Sequence, residues 1–123
     1  MRVRARADCH QELPDGRTNP SLAPGREYVV VGYDWSDYRL VADQGPCLYD
    51  KRVFDVVDAA EDPSWIRRDR DEGGHYVDPP ECAAPGFYER WHDGDPVSRA
   101  TFSEVYARLV AEDLHHGERA RSP

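Results

Sequence analysis

Lysine is nearly absent from this 123-residue chain: Lys51 stands alone among sixteen basic side chains. Arginine carries the rest of the positive charge. That is the codon bias of a GC-rich genome, and nothing about function follows from it. Cysteine is scarce as well. Cys9, Cys47 and Cys82 are odd in number and widely spaced, with no Cys-x-x-Cys pair. This excludes a disulfide framework and points to a reducing compartment; lone thiols of this kind usually pack as small hydrophobes. No apolar run approaches the ~20 residues of a membrane span. Met1-Arg-Val-Arg-Ala-Arg-Ala7 alternates arginine with small residues, where a secretory signal needs a continuous apolar stretch. The expected location is cytoplasmic, with no membrane partner.

Motifs for chemistry are missing too. Asp69-Arg-Asp71-Glu-Gly73 opens like a calcium loop, but the twelfth position falls on Pro80, where a bidentate glutamate is needed. Cys9-His10, His75 with Cys82, and His115-His116 supply ligand types without zinc spacing; the last pair suits ordinary capping of a helix end. Cys82 with His75 or His92 becomes a nucleophile and base only if the fold adds proximity and an orienting group. The carboxylate pairs Asp34/Asp37, Asp71/Glu72 and Asp93/Asp95 sit in turns, where aspartate bonds its own backbone. A glycosidase would need them facing across a cleft. The expectation is no enzyme, no metal and no cofactor.

What is present describes one globular domain. Hydrophobic residues make up 39% and aromatics 11%, a folded composition, and a chain of this length buries about two-thirds of its unfolded surface. Ten prolines and nine glycines imply extensive turn and loop. Charge is uneven. Residues 1–26 carry five arginines against three acids, a net of +2, and residues 27–123 carry a net of −10, for −8 overall. An acidic body repels phosphate backbones, so nucleic acid is excluded as a partner, and a basic protein is attracted.

Between Glu27 and Asp58 the chain reads as short strands broken by turns: Glu27–Tyr33, Tyr38–Ala42, Cys47–Tyr49 and Arg52–Val57, separated by Asp34-Trp-Ser-Asp37 and Asp43-Gln-Gly-Pro46. Arg2–Asp8 alternates charged and apolar residues and supplies a first strand, followed by a long polar loop in which Leu22 is the apolar anchor. The expected fold is α+β: residues 1–58 form a small five-stranded antiparallel β-barrel, and residues 59–117 form a helical extension packed on it. Residues 118–123 form a flexible tail. Val29, Val31, Leu40, Phe54 and Val56 are the expected barrel core. In the extension, His75–Val77 pairs with Trp65–Ile66, Arg67–Gly74 is a charged loop, and Pro85–His92 is a short helix turning Phe87, Tyr88 and Trp91 inward. A longer helix starts at the Asp95 cap with Pro96 in its first position. It buries Phe102, Val105, Tyr106, Leu109 and Val110 at three- and four-residue spacing, pairs Arg108 with Glu104 or Glu112 outside, and stops at Gly117.

One rim combines aromatics with acids. Asp34, Trp35, Asp37 and Tyr38 flank a single turn, and a tryptophan in a turn is a candidate interface anchor. With Asp71 and Glu72 from the charged loop they form the expected partner-binding set. The same rim would serve a peptide-binding adaptor of the small-barrel class.

The order of a first strand, a long loop, Leu22-Ala-Pro-Gly-Arg-Glu-Tyr28, a strand pair, Cys47-Leu-Tyr49 and Val53-Phe-Asp-Val-Val57 resembles a bacterial Src-homology-3-like barrel, with Tyr49-Asp-Lys-Arg52 at the turn before the last strand. The continuation through Asp62-Pro-Ser-Trp65, Tyr76–Pro80, Pro85-Gly-Phe-Tyr88 and Asp93-Gly-Asp95 is similar to immunity proteins encoded beside polymorphic toxins. The resemblance implies a non-enzymatic protein that occludes a cognate toxin with a basic active-site groove. The aromatic groove of eukaryotic members of the barrel fold is not present in order, which argues against proline-peptide binding.

Overall fold

The structure is a computed structural model that describes residues 1–121, with side chains described through Leu114. It is α+β, and all of its strand pairs are antiparallel. Eight strands occur among the described residues: β1 Arg2–Ala5, β2 Glu27–Val29, β3 Gly32–Asp34, β4 Asp37–Ala42, β5 Gly45–Asp50, β6 Phe54–Asp58, β7 Ile66–Asp69 and β8 His75–Asp78. They form two sheets, a small one ordered β2-β1-β6 and a large one ordered β5-β4-β3-β8-β7. The sheets are not closed into the expected five-stranded barrel.

The departure begins in one segment. Glu27–Tyr33 is not a single strand, because the chain changes sheets at Val30-Val31. The Val30 N–H donates to the Met1 carbonyl at 3.0 Å beside the small sheet, and the Val31 N–H donates to the Arg39 carbonyl at 2.9 Å in the large one. A residue run that crosses between layers is covered on both sides. The three valines therefore carry no alternation that would mark the break.

Strand β4 is the shared wall. Leu40 and the neighbouring Tyr38 and Tyr49 face the small sheet, where they join Val3, Ala5, Tyr28, Val53 and Phe54 in a first core. Arg39 and Val41 alternate to the other face, toward α1 Phe87–His92 and α2 Pro96–Arg121. There Val31, Cys82, Phe87, Phe102, Val105 and Leu109 make a second core, with Val29, Tyr88, Trp91 and Tyr106 at its margin. Val31, Leu40 and Phe54 are buried as expected, and Val29 is half-buried. Val56 is not buried: it is 53% exposed. Strand β6 is an edge, and its pairing with β1 shifts register between Arg2 and Val3, skipping Val57. Such a bulge bends a strand and ends its inward face.

The long loop after β1 is tied down as well as anchored. Leu22 is buried in the first core, and Arg17 reaches the buried Asp50 carboxylate at 2.6 Å, where Arg52 binds at 2.8 Å. The Arg52 hydrogen bond, foremost, holds the Asp50 carboxyl below the usual range.

Residues 59–117 contribute strands as well as helices. His75–Asp78 pairs with Ile66–Asp69, so Arg67–Asp69 is strand where a loop was expected, and β8 adds the hairpin to β3. Charged residues alternate with charged residues here, so only the pairing reveals the strand. Helix α2 begins as read: the Asp95 carboxylate accepts from the Ser98 N–H at 3.0 Å and its hydroxyl at 2.6 Å. Phe102, Val105 and Leu109 are buried, and Arg108 pairs more closely with Glu81, at 2.9 Å, than with Glu112, at 4.0 Å. The helix runs on past Gly117 to Arg121, since one interior glycine lowers helix propensity by only about 1 kcal/mol. Of the expected tail, Ser122 and Pro123 lie outside the described residues, as do the side chains of His115 and His116.

Candidate functional site

The β3–β4 turn is built by Asp34. Its carboxylate, almost fully buried, accepts from the Ser36 N–H at 2.8 Å, the Ser36 hydroxyl at 3.3 Å and the Asp37 N–H at 2.7 Å. With its Oδ1 committed to the turn, Asp34 shapes the rim from inside. Trp35 then stands at the tip, 46% exposed. Its ring meets Tyr76 edge to face at 5.9 Å, and the Arg70 guanidinium lies 5.0 Å from its centre. Gly74 lies directly beneath: it has φ +82°, and a Cβ there would sit 2.6 Å from the indole. Only glycine combines that backbone with that approach.

Pairing of β3 with β8, Asp34 opposite Tyr76, sets the β3–β4 and β7–β8 turns side by side. Trp35 thereby joins the turn that carries the exposed Asp71 and Glu72, the latter 3.8 Å from Arg70. The other two expected residues take structural places. Asp37 is half-buried, 3.9 Å from Arg17; burial, reinforced by the Asp34 charge, pushes its carboxyl pKa up. Tyr38 packs edge to face on Phe54 at 5.9 Å with the Lys51 ammonium 5.2 Å from its ring. Of the six expected residues, three share the rim and three hold it together. Arg70, Gly74 and Tyr76 belong to the rim and were not read from the sequence, since cross-strand register alone brings them to Trp35.

A second feature lies where the chain crosses between sheets. Asp58, Glu61, Asp62, Glu112 and Asp113 line a groove of about 390 Å³ whose apolar walls are Val29, Val30, Trp65 and Leu109. It is supplied by Met1, the β2–β3 crossing, the end of β6 with the segment after it, and α2. Asp62 accepts from the Ser64 N–H at 2.9 Å and hydroxyl at 2.7 Å, and the N–H bond above all holds its carboxyl low. Beside it, Glu112 is pushed up by burial and by the Asp62 charge. Asp113 pairs with Arg2 at 3.4 Å. The Tyr33 hydroxyl donates to Glu61; burial and then that carboxylate push the phenol up to about 12. The Trp65 indole N–H is buried in the groove wall without a hydrogen-bond partner. These acids are separated by up to half the chain, so no sequence spacing announces them.

Among the described residues, Cys82 has no histidine hydrogen-bonded to it. His92 approaches Cys47, not Cys82, with Nε2 at 4.0 Å from Sγ and 2.9 Å from the Pro46 carbonyl. Burial raises the Cys47 thiol pKa, and burial pushes Cys82 up to about 11, the opposite of activation. Among the described residues no three His, Cys, Asp or Glu side chains converge as metal ligands do, and no helix is long and apolar enough to cross a membrane. Comparison with protein-family models, with curated proteins and with solved structures gives no match for this chain.

Proposed function

We propose that the chain is a non-enzymatic binding protein for a basic protein partner, most concretely an immunity protein that occludes the active-site groove of a cognate bacterial toxin. The observation that carries this reading is the acid-lined groove. Five carboxylates surround apolar walls, and burial together with the Asp62 charge pushes the Glu112 carboxyl up, so a lysine or arginine entering the groove would relieve carboxylate repulsion and gain apolar contact for its stem. The net charge of −8 extends the attraction beyond contact range. Trp35 supplies an aromatic anchor already fixed over Gly74 and Tyr76, which lowers the ordering cost of binding. We further read the first 58 residues as kin to Src-homology-3-like barrels opened into two sheets; the segment Glu27–Asp34, passing from one sheet to the other, supports that kinship.

A second reading, a peptide-binding adaptor, has one observation in its favour. Strand β7 is one edge of the large sheet, and its Ile66 is 43% exposed, so an extended peptide could add as a further strand.

Co-expression with the toxin domain encoded beside this gene separates the two. Immunity predicts survival, a complex, and an association rate that falls steeply with salt and with Glu61→Lys or Asp62→Lys. Binding of extended peptides that ignores salt and those substitutions but is lost on Ile66→Pro supports the adaptor. Cell death with no complex at low salt sinks the immunity reading.

A further inference from the structure

On the opposite face of the large sheet, away from the first core, a cleft of about 770 Å³ separates the strands from α1 and the turn before it. Its floor is Arg39 of β4, Arg68 of β7, and Tyr76 and Asp78 of β8; its roof includes Cys82 and Tyr88. The volume falls within the usual ~300–1,000 Å³ of small-molecule sites.

Three polar atoms of this cleft lack partners. The Nε–H groups of Arg39 and Arg68 and the Tyr88 hydroxyl are buried without a hydrogen-bond partner. Both guanidiniums are held instead by aromatic rings, Arg39 at 3.6 Å from the centre of Tyr88 and Arg68 at 5.5 Å from that of Tyr76. A guanidinium that spends its face on a ring keeps its N–H donors free for a carboxylate. Asp78 lies in the same cleft and is only 6% exposed, seated on bare backbone: a Cβ at Gly32 would fall 2.5 Å from its Oδ1. Among the described residues neither arginine and not Asp78 enters an ion pair within 4.0 Å or a side-chain hydrogen bond. Arg39 and Arg68 are half-buried and Asp78 is buried; a molecule lying between them that supplies both an acceptor and a donor would give these groups the hydrogen bonds they lack.

We propose that this cleft binds a small carboxylate that also carries a hydroxyl or amine, its carboxylate received by Arg39 and Arg68 and its donor group by Asp78. The proposal concerns different residues from the acidic groove, so its failure and the failure of the acidic-groove reading are distinguishable. A 2-hydroxy acid such as lactate has the required pair of groups, and propionate is the same skeleton without the donor.

The test is titration of the intact protein, followed by nuclear magnetic resonance of the arginine Nε–H groups, with lactate, serine, propionate and inorganic phosphate at constant ionic strength. Lactate or serine should shift the Arg39 and Arg68 signals saturably and bind more tightly than propionate. Arg68→Gln should weaken binding about tenfold or more, as loss of a charge-assisted hydrogen bond does. Arg39 also packs α1 onto the sheet, so Arg68 is the variant to rely on. Asp78→Ala provides a second readout: by removing the acceptor it should abolish the preference for lactate over propionate while leaving the Arg68 shift in place. Failure of every carboxylate to saturate, binding of phosphate alone, or lactate binding unchanged in Arg68→Gln would each overturn the assignment.

Discussion

The guanidinium carbon of Arg39 lies 3.6 Å from the centre of the Tyr88 ring, a stack that joins the middle of the large sheet to the short helix α1. Neither partner uses its polar atoms for the purpose: the Arg39 Nε and the Tyr88 hydroxyl are both buried without a hydrogen bond. Burial, with Cys82 close by, drives the phenol far above its ordinary pKa. Tyr88→Phe should therefore change stability little, because the hydroxyl meets only the Cys82 thiol, a weak partner. Tyr88→Ala should cost about 3 kcal/mol or more by removing the ring. Urea denaturation of the two variants checks the contrast, and equal losses would place the stabilisation in the hydroxyl instead.

Phe54 and Val56 are two residues apart on β6 and differ in burial, so their truncations should differ. Phe54→Ala is expected to cost about 3–5 kcal/mol, since the ring meets Tyr28 at 6.5 Å and Tyr38 at 5.9 Å in the first core. Val56→Ala should change stability by less than about 0.5 kcal/mol. A comparable shift of the denaturation midpoint in both would return Val56 to the core.

Asp78 makes stability depend on pH in an unusual direction. Burial, the largest cause, raises its carboxyl to about 6, with Arg39 and Arg68 opposing. Below pH ~4 the carboxyl is protonated in both folded and unfolded chains and has no effect. Between pH ~4 and ~6 the unfolded chain loses this proton first, so the group's contribution to stability falls as pH rises, by a total of order 2–3 kcal/mol, and is constant above that window. Asp78→Asn should accordingly raise the melting temperature at pH 7 and leave it unchanged near pH 4. No difference between the two pH values would show that the carboxylate is satisfied when ionised.

Gly74 holds the Trp35 ring. Gly74→Ala forces a side chain into φ +82° and against the indole, at about 1–3 kcal/mol of strain. Gly73, with φ +92° and open space where a Cβ would stand, bears only the backbone part of that strain. The prediction is that Gly74→Ala destabilises more than Gly73→Ala and alone changes the Trp35 environment, read as a chemical-shift change at its indole N–H.

Removal of α2 tests the second core. A chain ending at Gly94 uncovers Val31, Cys82 and Phe87, which Phe102, Val105 and Leu109 bury, and should aggregate. If it remained monomeric with an unchanged melting temperature, the helix would be a separate element.

Local chemistry determined much of this protein before any fold was known. The Asp95 cap, Pro96 and the apolar stripe from Phe102 to Leu109 specify α2, because a helix is read from contacts three and four residues apart. Asp34 and its turn were legible for the same reason, and so was the alternation of Arg2–Ala5 that makes β1. The rest depends on pairing between distant segments, which leaves no local trace. Only tertiary structure divides Glu27–Asp34 between two sheets, because Val29, Val30 and Val31 are apolar whichever layer covers them. The register of β3 against β8 brings Gly74 and Tyr76 under Trp35, and separates Trp35 from Tyr38, which turns inward to Phe54. The acids of the groove and the arginines of the cleft converge from strands and helices far apart in sequence. A charge written in the chain says what a residue carries, and the packing of sheet against helix decides what it faces.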